Sequence, residues 1–361
     1  MSNYKIPNLP FDTELETKVV LKKIAQAHRA LAELKGIAET IPNDTILINT
    51  LSLQEAKDSS AIENIITTYD ELYRADALSK EFASTASKEV YNYALALRNG
   101  FEIVKEQGII SNNHILHIQS IIENNNAGFR KLPGTALKND KTGEVVYTPP
   151  QHPQEIIDLM NNLEKFINDN TLSDWDALVK MAVVHHQFES IHPFYDGNGR
   201  TGRIINILYL VKEGLLKIPI LYLSRYINQN KADYYRLLQK VRTDNAWQEW
   251  ILFILDGVEQ TALQTIQQIN GIKILMQKHK QKIRTELPRI YSQDILNNMF
   301  RHPYTKIEFV MIELDVTRIT ATKYLDELAK IGLLNKQKIG RDSYYVNNEL
   351  YNLLGNINTN V

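Results

Sequence analysis

Apolar residues recur at three- and four-residue steps along most of the chain, which predicts a mainly α-helical protein. The pattern places helices over 11–40, 51–74, 86–107 and 111–124. Pro42 and Asn43 separate the first from the second, and Ser111 with Asn112 and Asn113 marks the start of the fourth. From Gly128 to Pro150 the character changes. Two β-prone runs, Thr135–Lys138 and Glu144–Thr148, flank the polar turn Asn139–Gly143, a hairpin signal. Helical periodicity returns over 154–168, 174–189, 200–213, 231–242 and 246–269, and the polar, basic stretch 270–289 reads as a linking helix. The tail predicts three short helices, Tyr291–Arg301, Thr305–Leu314 and Thr317–Ile331. A hairpin follows, Leu334–Ile339 and Ser343–Val346, turning at Gly340-Arg341-Asp342, which is the order of a winged helix-turn-helix. Gly355–Val361 is expected to fray.

Composition narrows the classes. A chain of 361 residues predicts two or three domains. The formal net charge of -1 argues against a general nucleic-acid coat or a polybasic membrane binder. The absence of cysteine excludes disulfides, thiolate metal sites and cysteine nucleophiles. Met1 to Thr17 has no apolar core of signal-peptide length, and no apolar run reaches the roughly 18 residues of a membrane span, so a cytoplasmic protein is expected.

The chemistry concentrates in Ser190–Arg203, S-I-H-P-F-Y-D-G-N-G-R-T-G-R. Pro193 disfavours helix through His192, Asp196-Gly197-Asn198-Gly199 is dense turn chemistry, and an apolar helix begins at Arg200. A tight loop therefore opens onto a helix N-terminus, where unpaired N–H groups and the helix dipole make an anion cradle. Two glycines allow close backbone approach, and Arg200 and Arg203, three residues apart, add forked donors for phosphate oxygens. Asp196 is a hard oxygen ligand of the kind Mg²⁺ takes together with phosphates, and His192 is a base suited to neutral pH. Singly, each feature has a bland explanation: a His beside Pro is commonly structural, Asp-Gly-Asn-Gly is commonly a turn, and Arg-x-x-Arg is commonly a solvated face. Their conjunction is what points to nucleotide chemistry.

The run His192-Pro193-Phe194-Tyr195-Asp196-Gly197-Asn198-Gly199-Arg200-Thr201-Gly202-Arg203 resembles the complete signature of the Fic (Fido) family, H-P-F-x-[DE]-G-N-G-R-x-x-R, with no departure. The resemblance covers Ile109–Trp250 as a catalytic core and extends into both flanks. It implies a protein adenylyltransferase using ATP and Mg²⁺. His192 would deprotonate the incoming Ser, Thr or Tyr hydroxyl, Phe194 would pin the loop, and Asp196 would hold the metal. Gly197, Asn198 and Gly199 would cradle phosphate, Thr201 and Gly202 would line the nucleotide, and Arg200 and Arg203 would neutralise the β- and γ-phosphates. Asn198 and Arg203 would thus join His192 and Asp196 as catalytic groups.

Upstream, Ser59-Ser60-Ala61-Ile62-Glu63-Asn64 resembles the family's inhibitory motif, [ST]-x-x-x-E-[GN]. The resemblance implies that Glu63, with Ser59 and Asn64 completing the motif, pairs with Arg203 and competes with the γ-phosphate. It implies an N-terminal region 1–108 carrying the inhibitory helix 51–74, linking helices over 251–289 and a winged helix over 290–361. The hairpin at 135–148 matches the family's target-docking flap, and Asn230 and Tyr235 match the region that contacts the nucleoside. Self-modification and a homodimer are consistent with this reading. For the winged helix, DNA phosphates and a protein surface remain the alternatives, because Arg318, Lys323 and Lys330 are interspersed with Asp326 and Glu327. Four other functions compete: a phosphotransferase or other nucleotidyl transferase on the same fold, a de-AMPylase on the same site, a DNA-binding regulator that senses nucleotide, and a metallohydrolase using His185, His186, His192 and Asp196.

Overall fold

The computed structural model describes residues 4–77, 82–139, 142–339 and 342–355. Residues 4–17 are non-helical, and Thr17, whose side chain accepts from the Val20 N–H, caps α1 (Lys18–Ala38). The helix predicted from residue 11 therefore starts seven residues later. Asn43 caps α2 (Asp44–Ile62), and α3 (Tyr69–Ala77) follows after a short link. The stretch predicted as one helix over 51–74 is thus two: Asn64 adopts φ 64°, a left-handed conformation that no helix continues through.

A Ser84–Ser87 capping box opens α4 (Thr85–Gln107), Gly108 closes it at φ 71°, and a Ser111–His114 box opens α5 (Asn112–Glu123). The hairpin is β1 (Leu137–Lys138) with β2 (Val145–Tyr147); Asp140 and Lys141 of its turn lie outside the described residues. Then come α6 (Pro153–Asn168), α7 (Ala177–Ile191), α8 (Asn198–Lys212), α9 (Leu223–Gln229), α10 (Lys231–Asp244) and α11 (Trp247–Glu286). The 246–269 and 270–289 segments are one 40-residue helix, which packs along α1 and continues through to the C-terminal region. That region holds α12 (Gln293–Arg301), β3 (Tyr304–Lys306), α13 (Ile307–Leu314), α14 (Arg318–Lys330), β4 (Asn335–Ile339), β5 (Asp342–Val346) and α15 (Asn348–Gly355). The three predicted helices and the hairpin are present, with an unforeseen strand β3 pairing to β5 in an antiparallel sheet of order β3-β5-β4. Gly340 and Arg341 of the predicted turn, and 356–361 of the predicted frayed end, lie outside the described residues.

The core position of α7 and α8 follows from their composition. In both, apolar residues are spread around the helix axis rather than gathered on one face, the pattern of a buried helix, and residues 178–191 and 200–210 are all buried. α8 packs against α2, α4, α5 and α7. The loop joining α7 to α8 is thereby fixed at both ends by the centre of the molecule. Among the described residues no helix is long and apolar enough to cross a membrane.

Candidate active site

The loop between α7 and α8 is held by its own residues and by one arginine. His192 is the C-cap of α7 in the left-handed region, φ 49°. Arg130, 1% exposed, fixes that backbone: its Nε donates to His192 O at 2.8 Å, its Nη2 to Pro150 O at 2.9 Å, and its main-chain N–H to Pro193 O at 2.8 Å. Phe194 is fully buried against Phe129 and Phe188. The Asn198 side chain closes the turn on Phe194, accepting from its N–H at 2.8 Å and donating to its carbonyl at 2.9 Å. Both ends of that amide are spent on the loop, and what Asn198 offers a ligand is its backbone N–H. Gly197, at φ 76°, is the N-cap of α8 and supplies no capping side chain, so the N–H groups of Asn198, Gly199 and Arg200 have no helical acceptor. They stand at the helix N-terminus that reads as an anion cradle in the sequence.

Around the cradle the charges are sorted. The Asp196 side chain is 78% exposed, with one oxygen accepting from the Gly197 N–H at 2.7 Å. Arg200 and Arg203 are each 3% exposed, and the Glu63 carboxylate bridges them. Its Oε2 accepts from Arg200 Nε at 2.8 Å and its Oε1 from Arg203 Nη2 at 2.7 Å. Ser59 completes the seat of Arg203, accepting through Oγ from Nε at 2.7 Å and through its carbonyl from Nη2 at 3.0 Å. Glu63 thus holds both arginines rather than Arg203 alone, and it does so as the C-cap of α2, one residue beyond that helix. Gly199 permits the approach: a Cβ there would stand 2.6 Å from Glu63 Oε1 and 2.8 Å from Arg203 Nη1. Gly202 is likewise closely covered, by Glu189 and Phe188.

Three groups that pattern reading passed over complete the site. Glu123, the last residue of α5, accepts from Arg200 Nη2 at 2.8 Å and lies against Gly197, where a Cβ would meet its oxygen at 2.5 Å. Glu55 on α2 accepts from Tyr93 Oη at 3.0 Å and from Ser224 Oγ; burial pushes its carboxyl up to about 7. Burial also raises Glu189, beside Arg203, to about 7. Glu123 and Glu55 lie on α5 and α2, distant in sequence from the loop, so no short-range motif marks them, whereas Glu189 lies on α7 three residues before His192. For His192, burial and the nearby Arg130 and Arg242 cations push the imidazole down to about 3, so it is neutral at pH 7.

Of the two residues expected at the nucleoside, Asn230 is half-buried and donates to Tyr226 O at 2.9 Å, whereas Tyr235 is 48% exposed and rests edge-on against buried Tyr234. Lys231 Nζ donates to Asn64 Oδ1 at 3.2 Å, so the residue after Glu63 meets α10. His185 and His186 do not join His192: His185 bonds Tyr234 Oη at 2.8 Å and stacks on Trp250, and His186 bonds Leu238 O at 3.2 Å. Both belong to the aromatic core, which leaves the metallohydrolase reading without its ligands. No group of three or more His, Asp or Glu that could hold a metal occurs among the described residues. A lone exposed carboxylate such as Asp196 fits Mg²⁺ of the kind held by one carboxylate and substrate phosphates.

Comparison with known proteins places three family models along the chain: "Fic/DOC family N-terminal" over 21–102, "Fic/DOC family" over 109–210, and "Protein adenylyltransferase SoFic-like, C-terminal domain" over 275–350. A probable protein adenylyltransferase of Aquifex aeolicus is 29% identical over 186 residues, 50% of this chain and 54% of that protein. The Drosophila melanogaster protein adenylyltransferase Fic is 30% identical over 112 residues, 31% of this chain and 21% of that one. The chain therefore spans about half the length of the first relative and a fifth of the second. Among solved structures, a Fic family protein from Desulfovibrio desulfuricans shares the fold at TM-score 0.58 and 19% identity, covering 93% of this chain and 97% of its own. C. elegans Fic-1 does so at 0.54 and 18%, covering 70% and 73%.

Proposed function

Because the chain belongs to the Fic/DOC family, we propose that it is a protein adenylyltransferase, moving AMP from ATP to a Ser, Thr or Tyr hydroxyl of another protein or of itself, with Glu63 as its brake. The observation that carries this reading is the pair of buried arginines flanking an open helix N-terminus, bridged by a carboxylate where a triphosphate would sit.

In this reading the N–H groups of Asn198, Gly199 and Arg200 bind phosphate oxygens, and Arg200 and Arg203 neutralise the β and γ end. Asp196 would hold Mg²⁺, which would supply charge neutralisation along the phosphates. The neutral His192 imidazole accepts the proton of the target hydroxyl. That oxygen forms its bond to the α-phosphorus, the bond to the bridging oxygen breaks, and pyrophosphate leaves. Fixed donors help most here, because charge builds on the α-phosphoryl group as the bonds exchange. The target lies along the flap at 135–148, where Val145 and Val146 are 38% and 44% exposed, and its main chain pairs with the strand edge. Tyr235 offers its exposed face to the nucleoside. The C-terminal unit is read as a winged helix that docks protein rather than DNA, since Arg318, Lys330 and Lys336 already pair with Glu308, Glu327 and Asp326.

Intact-mass spectrometry of Glu63→Gly after incubation with ATP and Mg²⁺, alone and with candidate targets, tests the reaction. Addition of one AMP, lost with EDTA, supports it; addition of phosphate or UMP from the matching nucleotide overturns it. Glu123 is assigned as the residue that keeps Arg200 aligned after Glu63 leaves. Glu123→Gln in a Glu63→Gly background is expected to weaken Mg·ATP binding roughly tenfold by titration calorimetry, the worth of one charge-assisted hydrogen bond. Unchanged affinity would mean that Arg200 needs no such support.

A further inference from the structure

The segment that carries Glu63 is gripped on both sides by the C-terminal unit. Nine residues before Glu63, buried Gln54 donates to the Leu354 carbonyl of α15 at 2.8 Å and accepts from Gln268 of α11 at 3.0 Å. Seven residues after it, Asp70 accepts from Tyr304 Oη of β3 at 2.5 Å while also pairing with Arg74. Ten residues after it, Tyr73 stacks on Tyr304, with centroids 6.5 Å apart and planes at 14°, and meets Tyr351 of α15 edge-on at 6.1 Å. α12 packs along α2 as well. The opposite face of α2 is the one that presents Ser59 to Arg203. α2 is therefore sandwiched between the catalytic helix α8 and the C-terminal unit, and the link 63–68 is a short non-helical span tethered at both ends.

We infer that the C-terminal unit is the latch of the brake: its grip on α2 and α3 determines how firmly Glu63 sits on Arg200 and Arg203. This rests on the reading of Glu63 as an inhibitor. A carboxylate can leave two buried arginines only if the backbone carrying it moves, and Asn64 in the left-handed region at the end of α2 is where that backbone can re-aim. The tyrosine cluster and the Gln54 bond oppose the movement. Any partner of the C-terminal unit that draws β3 and α15 away from α3 and α2 would then lower the cost of moving Glu63, coupling a remote surface to nucleotide binding by biasing one two-state element. The grip consists of hydrogen bonds and ring contacts in which none of the residues assigned to the phosphate site takes part, so loosening it leaves the catalytic groups untouched.

The test is a set of full-length variants read by Mg·ATP affinity in titration calorimetry, with hydrogen exchange over 58–77 as a second readout. Tyr304→Phe removes one hydroxyl and keeps the ring; Tyr351→Ala removes a ring of the cluster. In the wild-type background each is expected to tighten ATP binding on the order of 3- to 10-fold, the weight of one buried hydrogen bond or ring contact, and to speed exchange in α3 and in the link. In a Glu63→Gly background the same changes are expected to leave affinity unaltered, because no brake remains to release. A purely structural role would instead shift affinity equally in both backgrounds, and that result overturns the latch. So does unchanged affinity in the wild-type background where Glu63→Gly alone tightens binding. If Glu63→Gly itself does not tighten binding, the brake reading fails first and the latch falls with it.

Discussion

Glu63→Gly is expected to raise ATP-dependent AMP transfer on the order of 10- to 100-fold, the worth of one to two charge-assisted hydrogen bonds. In the resting molecule the carboxylate satisfies Arg200 Nε and Arg203 Nη2 at once, and both guanidiniums are buried. A triphosphate entering the cradle must displace it, since one guanidinium cannot hold two anions in the same direction. Removing the carboxylate leaves two desolvated cations facing the open helix N-terminus, and the phosphates then restore the missing pairing rather than compete for it. The same change should cost stability without ligand, about 1–3 kcal/mol, because an uncompensated buried charge is left behind, moderated by the 24% exposure of the Glu63 side chain. Mg·ATP should return most of that stability. Initial rates of AMP incorporation, with thermal unfolding midpoints at zero and saturating nucleotide, check both halves. A variant that is neither faster nor rescued by ATP would refute the brake.

How much of this was legible in the sequence depends on whether one short stretch carries the information. The α7–α8 loop is nearly self-contained. Pro193, Gly197 and the apolar helix after Arg200 dictate helix, turn and helix N-terminus, and His192, Asp196 and both arginines follow from the same few residues. The capped helices were legible for the same reason, because Ser111 at the start of α5 is a local signal. Where structure is decided across the chain, pattern fails. The end of α2 at Ile62 hinges on a single left-handed residue, Asn64, inside a stretch whose apolar spacing runs on to Tyr69. β3 is three residues long and exists because β5 is there to pair with it. α9, seven residues, carries too few turns to register as a period. Arg130 and Glu123 look like ordinary polar residues until tertiary packing sets one under the His192 carbonyl and the other against Arg200.

His192→Ala in the Glu63→Gly background is expected to cut transfer by roughly 10²- to 10⁴-fold, the usual contribution of a positioned general base, while leaving Mg·ATP affinity nearly unchanged, since no phosphate contact is assigned to the imidazole. Loss of both would mean that the residue holds the loop rather than the proton. The pH profile separates these further. His192 lies under burial and two nearby cations that hold its imidazole down at about 3, so it is already a free base throughout the neutral range. Its protonation would remove activity only as pH falls well below the ordinary histidine value, and kcat/KM from this group should be flat between about pH 5.5 and 7.5, whereas an imidazole at the ordinary value near 6.5 would already be half protonated at pH 6.5. The same shift carries a stability consequence of fixed sign. The unfolded chain takes up this proton near pH 6.5 and the folded chain only near 3, so the unfolded state binds more protons between those values and stability falls as pH drops through that window. His185, held at about 3 mainly by burial, adds to the fall in the same direction. Replacing His192 by alanine should therefore flatten part of the acid limb of the unfolding curve while abolishing the chemistry, and the two effects appearing together would identify the buried neutral imidazole as the group that accepts the proton.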